Sequence, residues 1–210
     1  MKGKYVITIG RQFGSGGREI GRIVANKLGI QYYDKELLAE AAKESGVNTE
    51  FFEASDEVSP SIFAKSNIWA FNIGYNIGKF FSADMSFSDD NFYQAQSDVI
   101  KKFAELSPCV IVGRSADYVL REHPCLISIF ISASEDACVK RILERCDCNG
   151  EEEALLLIEK KNKLRSNYYN FYTDKEWGNA TSYDLCIDSS KLSTEQVADI
   201  IVEYVKKRIS

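Results

Sequence analysis

The sequence predicts an α/β fold, a parallel sheet covered by helices on both faces, and three observations predict it. Short runs rich in Val, Ile, Tyr and Phe recur at residues 5–9, 30–33, 109–112, 126–131 and 184–187, with the length and composition of strands buried on both sides. Stretches with apolar residues at three- and four-residue spacing separate most of them, and strands alternating with helices build parallel sheets. The first run opens into a glycine-rich loop and then a helical pattern, an arrangement that turns backbone N–H groups toward an anion. The chain has 210 residues, 45% hydrophobic and 27% charged, which suits one substantial core. Residues 1–210 therefore read as a single domain.

Residues 5–9 are β-branched and end at Gly10. Residues 18–28 place Ile20, Ile23, Val24 and Leu28 on one helical face, and Gly29 supplies the left-handed residue that stops a helix. The strand at 30–33 delivers Asp34 to its C-terminal end. Residues 35–43 are helical in pattern, whereas 45–90 are aromatic, polar and poorly periodic, which marks an insertion. Its Trp69, Phe71, Phe80, Phe81 and Phe87 either fill a small core or contact a planar base.

Residues 91–106 carry Phe92, Val99, Phe103 and Leu106 on one face before Ser107-Pro108 breaks the pattern. The strand at 109–112 runs into Gly113-Arg114 and a short helix at 116–122. After the strand at 126–131, Ser134 caps a helix to about residue 145, with Glu135 and Asp136 in its first turn. A charged helix at 151–166 and an aromatic-polar stretch at 167–183 precede the last strand. Ser193-Thr194 then opens an amphipathic helix through Val197, Ile200, Ile201, Tyr204 and Val205.

Composition removes several classes of function. The net charge of −5 opposes a nucleic-acid binder, which needs a cationic face. No apolar run approaches the roughly 18 residues that span a bilayer, and the N-terminus lacks a signal-like apolar stretch, so a cytoplasmic chain is expected. The six cysteines, scattered through strands and helices, read as reduced, buried thiols. Cys146-Asp147-Cys148 has no second cysteine pair and His123 is the sole histidine, so no metal site of the thiolate type is expected.

The chemistry concentrates in Gly10-Arg-Gln-Phe-Gly-Ser-Gly-Gly-Arg-Glu19. Glycines there admit positive φ and a close approach of phosphate. A dinucleotide-binding loop would also place an acid such as Asp34 after the second strand, but Glu19 stands where its third glycine belongs. A phosphate-binding P-loop fits the longer spacing better. Aligned by Gly14-Ser15-Gly16, however, its first glycine has become Arg11, its lysine Gly17, and the next two residues are Arg18 and Glu19. Arg18, at the start of the helix, and Arg11, within the loop, are the cations nearest the vacant lysine position, and Glu19 is the carboxylate expected to pair with Arg18 if Arg18 is merely a surface residue.

Taken in order, VITIGRQFGSGGREIG, GIQYYDKELL, PCVIVGRSADYVL, ISIFISAS and SYDLCIDSS resemble the cytidylate-kinase-like family across nearly the whole chain. The resemblance implies a P-loop NTPase core of the nucleoside-monophosphate-kinase type, with an inserted monophosphate-binding subdomain at 45–90 and a helical lid at 148–183. It implies ATP and Mg²⁺ as cofactors, and transfer of the γ-phosphoryl group to a nucleoside monophosphate, CMP or dCMP first. Residues Arg11, Gly14, Ser15, Gly16, Gly17, Arg18 and Glu19 would hold the triphosphate. Asp34, Arg114 and Asp117 would meet the acceptor, Asp117 standing in for aspartates that this chain replaces with Val112 and Ser115. Arg18, Arg114, Arg165 and Lys161 would carry the catalytic charge, with Lys160 and Lys163 further lid cations. A kinase for another small acceptor and a non-catalytic nucleotide or phosphate sensor are the alternatives.

Overall fold

The computed structural model describes residues 4–34, 36 and 89–210. Five strands form one sheet: β1 (Val6–Arg11), β2 (Gln31–Tyr33), β3 (Cys109–Val112), β4 (Leu126–Ser132) and β5 (Leu185–Asp188), in the order β2-β3-β1-β4-β5. Every pairing is parallel, with Ile9 opposite Val112 on one side of β1 and Ile129 on the other. The expected strands are all present, within one or two residues at their ends. Because β2 and β3 lie on one side of β1 and β4 and β5 on the other, β1 lies at the switch in strand order. Open α/β sheets bind ligands there, beyond the strand C-termini.

Six helices are described: α1 (Gly17–Leu28), α2 (Asp89–Leu106), α3 (Ala116–Val119), α4 (Glu135–Glu144), α5 (Glu151–Tyr172) and α6 (Thr194–Ile209). Alternation along the strands divides the core. Ile7, Ile9, Val110 and Val112 face one side and pack with Ile20 and Val24 of α1 and Val197, Ile201 and Val205 of α6. Val6, Cys109 and Ile111 face the other, against Val99, Ile100 and Phe103 of α2 and Val119 of α3. Gly29 ends α1 at φ 65°, and Ser193 with Gln196 closes a capping box on α6.

Four expectations need correction. The helix after β3 stops at Val119, and the charged helix continues from 166 to Tyr172 because Tyr168 and Tyr169 are buried. Leu106 and Ile200, read as packing residues, are exposed. Of the cysteines only Cys109 and Cys138 are buried, and all six are free thiols. The helix expected at 35–43 and the 45–90 insertion with its five aromatics lie outside the described residues, apart from positions 36, 89 and 90. Among the described residues no helix is long and apolar enough to cross a membrane.

Candidate active site

The loop from Gly10 to Gly16 carries the chain from β1 into α1, and its glycines stand where geometry needs them. Gly14 and Gly16 have φ of 82° and 79°. A Cβ at Gly14 would lie 2.7 Å from Cβ and 2.9 Å from Cα of Cys138 on α4, so the loop rests directly on that helix. Gly16 is the N-cap of α1 and contributes no side chain to its first turn. The opening N–H groups of an α-helix have no intrahelical acceptor, and together with the helix dipole they favour an anion.

Side chains from α4, α5, the segment after β5 and the loop itself fix the loop's shape. Arg141 of α4 donates to the Gly14 carbonyl at 3.4 Å and the Ser189 carbonyl at 2.6 Å, while Ser189 Oγ donates to the Ser15 carbonyl at 2.8 Å. The Ser15 hydroxyl turns inward to the Gln12 carbonyl at 2.9 Å, and Ser15 is fully buried. From α5, Asn162 Oδ1 accepts the Phe13 N–H at 2.7 Å, and Arg165 Nη1 donates to the Arg11 carbonyl at 3.2 Å. The guanidinium groups of Arg145 and Arg165 lie over the Phe13 ring, 5.8 and 5.6 Å from its centroid. The helix expected to act as a lid is thus moored on the loop itself, and its base packs on α4 through Ala154 and Ile158.

Two cavities adjoin the loop. A cleft of about 800 Å³ is lined by Arg11, Phe13, Gly14, Gly16, Gly17, Arg18, Glu19, Asp34, Lys161 and Arg165, among others. A pocket of about 30 Å³ lies between the ends of β1 and β3 and is lined by Thr8, Arg11, Arg114, Ser115, Asp117, Arg165, Tyr169 and Tyr183, among others. Among the described residues Asp34 lines the cleft and Arg114 the pocket. Arg11 and Arg165 line both and connect them.

The turn after β3 is unusual backbone. Gly113, Arg114 and Ser115 all have positive φ, at 83°, 61° and 49°, and the two non-glycine residues pay a steric penalty there. Arg114 is 3% exposed. Thr8 Oγ1 and Ser115 Oγ are buried and make no hydrogen bond among the described residues, so two hydroxyls border the pocket with bonding capacity unspent. Asp117 accepts the Tyr169 hydroxyl at 2.6 Å. Burial pushes its carboxyl above the usual aspartate range, against the opposing pull of Tyr169 and Lys175.

Arg18 and its neighbours occupy the outer rim. Its side chain is 60% exposed, reaches Glu36 at 2.7 Å and lies 3.5 Å from Asp34. Glu19, the partner expected of Arg18, instead accepts the Thr194 hydroxyl at 3.3 Å. Lys160 and Lys163 are exposed, whereas Lys161 lines the cleft. Sequence reasoning missed Arg141, Asn162 and Tyr169. Each acts on the loop or the pocket from a residue distant in the chain, and no local motif signals it.

The chain matches the model of the cytidylate kinase-like family over residues 6–191. It is 29% identical over 191 residues to a cytidylate kinase of Methanosarcina barkeri, covering 86% of this chain and 88% of that one. Among solved structures, an uncharacterized protein from Eubacterium ventriosum superposes with a TM-score of 0.70 and 30% identity, over 96% and 98% of the two chains. A shikimate kinase from Bacteroides thetaiotaomicron reaches a TM-score of 0.52 at 13% identity, over 96% and 98%, a likeness of fold.

Proposed function

Because the chain belongs to the cytidylate kinase-like family, we propose that it transfers the γ-phosphoryl group of ATP to a nucleoside monophosphate, with CMP or dCMP the first acceptors to test. The observation that carries this reading is the gathering of Arg11, Arg114 and Arg165 around one small pocket beside an uncapped helix N-terminus. Phosphoryl transfer asks a protein mainly to position oxygens in line and to neutralise charge. Guanidinium groups and backbone amides supply both.

In this reading the cleft beside Gly14, Gly16 and Gly17 receives the triphosphate, and the pocket beneath Arg114 receives the acceptor's phosphate at its mouth. An acceptor phosphate oxygen bonds to the γ-phosphorus as the bond from that phosphorus to the bridging oxygen breaks. The electron pair stays on the β-phosphate of the departing ADP, and no proton need move. Arg114 grips the acceptor, Arg165 and Lys161 add charge from α5, and Asp34 lies toward the nucleoside side of the cleft.

The donor set bears on Mg²⁺. The hydroxyl that a P-loop offers the ion is absent, since Arg18 holds that position, but the Glu19 carboxylate one residue on lines the cleft with Asp34. An ion that keeps several waters and takes phosphate oxygens needs only one or two carboxylates, so Glu19 would hold it. When bound, it would neutralise charge on the β- and γ-oxygens.

An ADP-release assay across CMP, dCMP, UMP, AMP and GMP tests the proposal. Turnover should be fastest on one pyrimidine monophosphate. Turnover confined to an acceptor outside the panel would replace the proposal with a kinase for another small molecule. Nucleotide binding without turnover would leave a sensor built on the same fold. We place the reaction in the cytoplasm, with a nucleoside monophosphate and a nucleoside triphosphate as its partners and without nucleic acid or membrane.

A further inference from the structure

We propose that Arg11 does the work of the missing loop lysine, and that residue 17 is glycine because Arg11 occupies its space. The proposal deepens the phosphotransfer reading and rests on it. Relative to the usual loop, two residues have exchanged character: arginine stands where the loop has glycine, and glycine where it has lysine. In sequence these are two separate defects. In the structure they are one feature.

A Cβ at Gly17 would lie 2.6 Å from Cβ of Arg11 and 3.0 Å from its Cγ. Real Cβ atoms essentially never come as close as 2.6 Å to another side chain, so the stem of Arg11 fills the volume that a side chain at position 17 would claim. The arginine then runs to the end of β3, where a Cβ at Gly113 would lie 2.9 Å from its Cζ. The guanidinium therefore lies against the backbone that leads into Arg114. Gly17 lacks a side chain because one would meet the Arg11 stem, whereas Gly113 is held as glycine by its own φ of 83°, and the guanidinium lies in the space beside it.

The position matches the role. Arg11 lines both the cleft beside the loop and the pocket beneath Arg114, so its charge stands at the boundary between donor and acceptor. That is where negative charge gathers as one oxygen–phosphorus bond forms and the other breaks. Its backbone is held in turn, since Arg165 donates to the Arg11 carbonyl at 3.2 Å. Arg18, the other cation near the vacant position, is mostly exposed and is engaged by Glu36 and Asp34.

The test compares four proteins: the parent, Arg11→Met, Gly17→Lys and the double variant Arg11→Gly/Gly17→Lys, each checked for folding by thermal melting. Turnover is read as ADP release with the acceptor panel and as ATP hydrolysis without acceptor, and affinities for ATP and AMP are read by calorimetry. Arg11→Met should lower kcat roughly a thousandfold, the size of effect seen when a transition-state cation is removed. Gly17→Lys alone should be impaired, because two side chains then compete for one space. The double variant, which restores the usual arrangement, should recover to within about thirtyfold of the parent. Retention by Arg11→Met of more than about a tenth of parental turnover would overturn the proposal and leave phosphotransfer standing. So would a double variant no more active than Gly17→Lys. If Arg11→Met does not fold, the double variant decides alone by the same criterion. If the parent neither transfers phosphoryl groups nor hydrolyses ATP, the phosphotransfer reading fails separately. Arg11 is then judged by binding: the preference for ATP over AMP should collapse in Arg11→Met, and an unchanged preference would overturn its role.

Discussion

The loop after β1 and the turn after β3 lie side by side, since Ile9 pairs with Val112, and both need left-handed backbone. They meet that need differently. In the loop the positive φ angles fall on Gly14 and Gly16, which adopt them without steric cost. In the turn they fall on Gly113 and then on Arg114 and Ser115, and each non-glycine residue held there costs about 1–2 kcal/mol. The loop borders an open cleft and the turn a pocket of about 30 Å³. Backbone amides in an open cleft suit any polyphosphate, whereas a buried guanidinium on strained backbone has one geometry. Under the proposed function, the difference would put generality on the loop side of the site and selectivity on the turn side.

Gly14→Ala should break the contrast most severely, because it gives the loop the strain that the turn already bears and drives a Cβ into the backbone of Cys138. The expected loss is about 2–5 kcal/mol by urea denaturation, with ATP affinity falling alongside. A loss below about 1 kcal/mol would mean that α4 yields and the loop is less constrained than its packing implies.

Arg114→Lys keeps the charge but not the planar, bidentate fork. Monophosphate affinity should weaken by about ten- to a hundredfold, or about 1.4–2.7 kcal/mol, while ATP affinity stays within error. Equal weakening of both ligands in calorimetry would erase the division between general and selective sides.

Ser115→Gly sharpens the comparison from the turn side. It relieves a residue at φ 49° and removes a buried hydroxyl without a partner, and Ser115 makes no capping bond to α3 that would be lost. Stability should rise by about 1 kcal/mol, read as a higher denaturation midpoint. A fall would show that the hydroxyl is satisfied in solution and that the turn is not strained.

The smallest effect is a pH dependence. Because burial raises the Asp117 carboxyl, the folded state holds its proton more readily than the unfolded state. Stability from this group is therefore greatest at low pH, and it declines as pH rises from the ordinary aspartate value of about 3.9 through the raised folded value. Melting curves of the parent and Asp117→Asn should separate across that interval, with the parent losing ground as pH rises. Parallel curves would place Asp117 in a more solvated setting than its burial indicates.

Local patterns made most of this molecule legible. Strands buried on both faces are continuous apolar runs, and β1 to β5 could be read from them. Caps such as Ser134, Gly29 and Ser193 were legible because each acts on its own neighbours. The last six residues of α5 were not, because Tyr168 and Tyr169 are helical through burial against the pocket and not through periodicity. The Asn162 bond to Phe13 and the Arg141 bonds to Gly14 and Ser189 span 48–149 residues, which no local spacing encodes. Position 17 shows the limit most clearly: the missing lysine was visible in the sequence, while the arginine stem in its place was visible only in three dimensions.

The contact between Arg11 and Gly17 also constrains how this loop can have arisen. Starting from a loop with a small residue at 11 and lysine at 17, installing arginine first would put two long side chains into one space, since even a Cβ at 17 stands 2.6 Å from the arginine stem. Removing the lysine first leaves a loop with no cation between Gly10 and Gly17. Every route by single substitutions crosses one of these two states. Exchanging one loop for the other by these two substitutions, in either order, therefore passes through a crowded or a cation-poor intermediate.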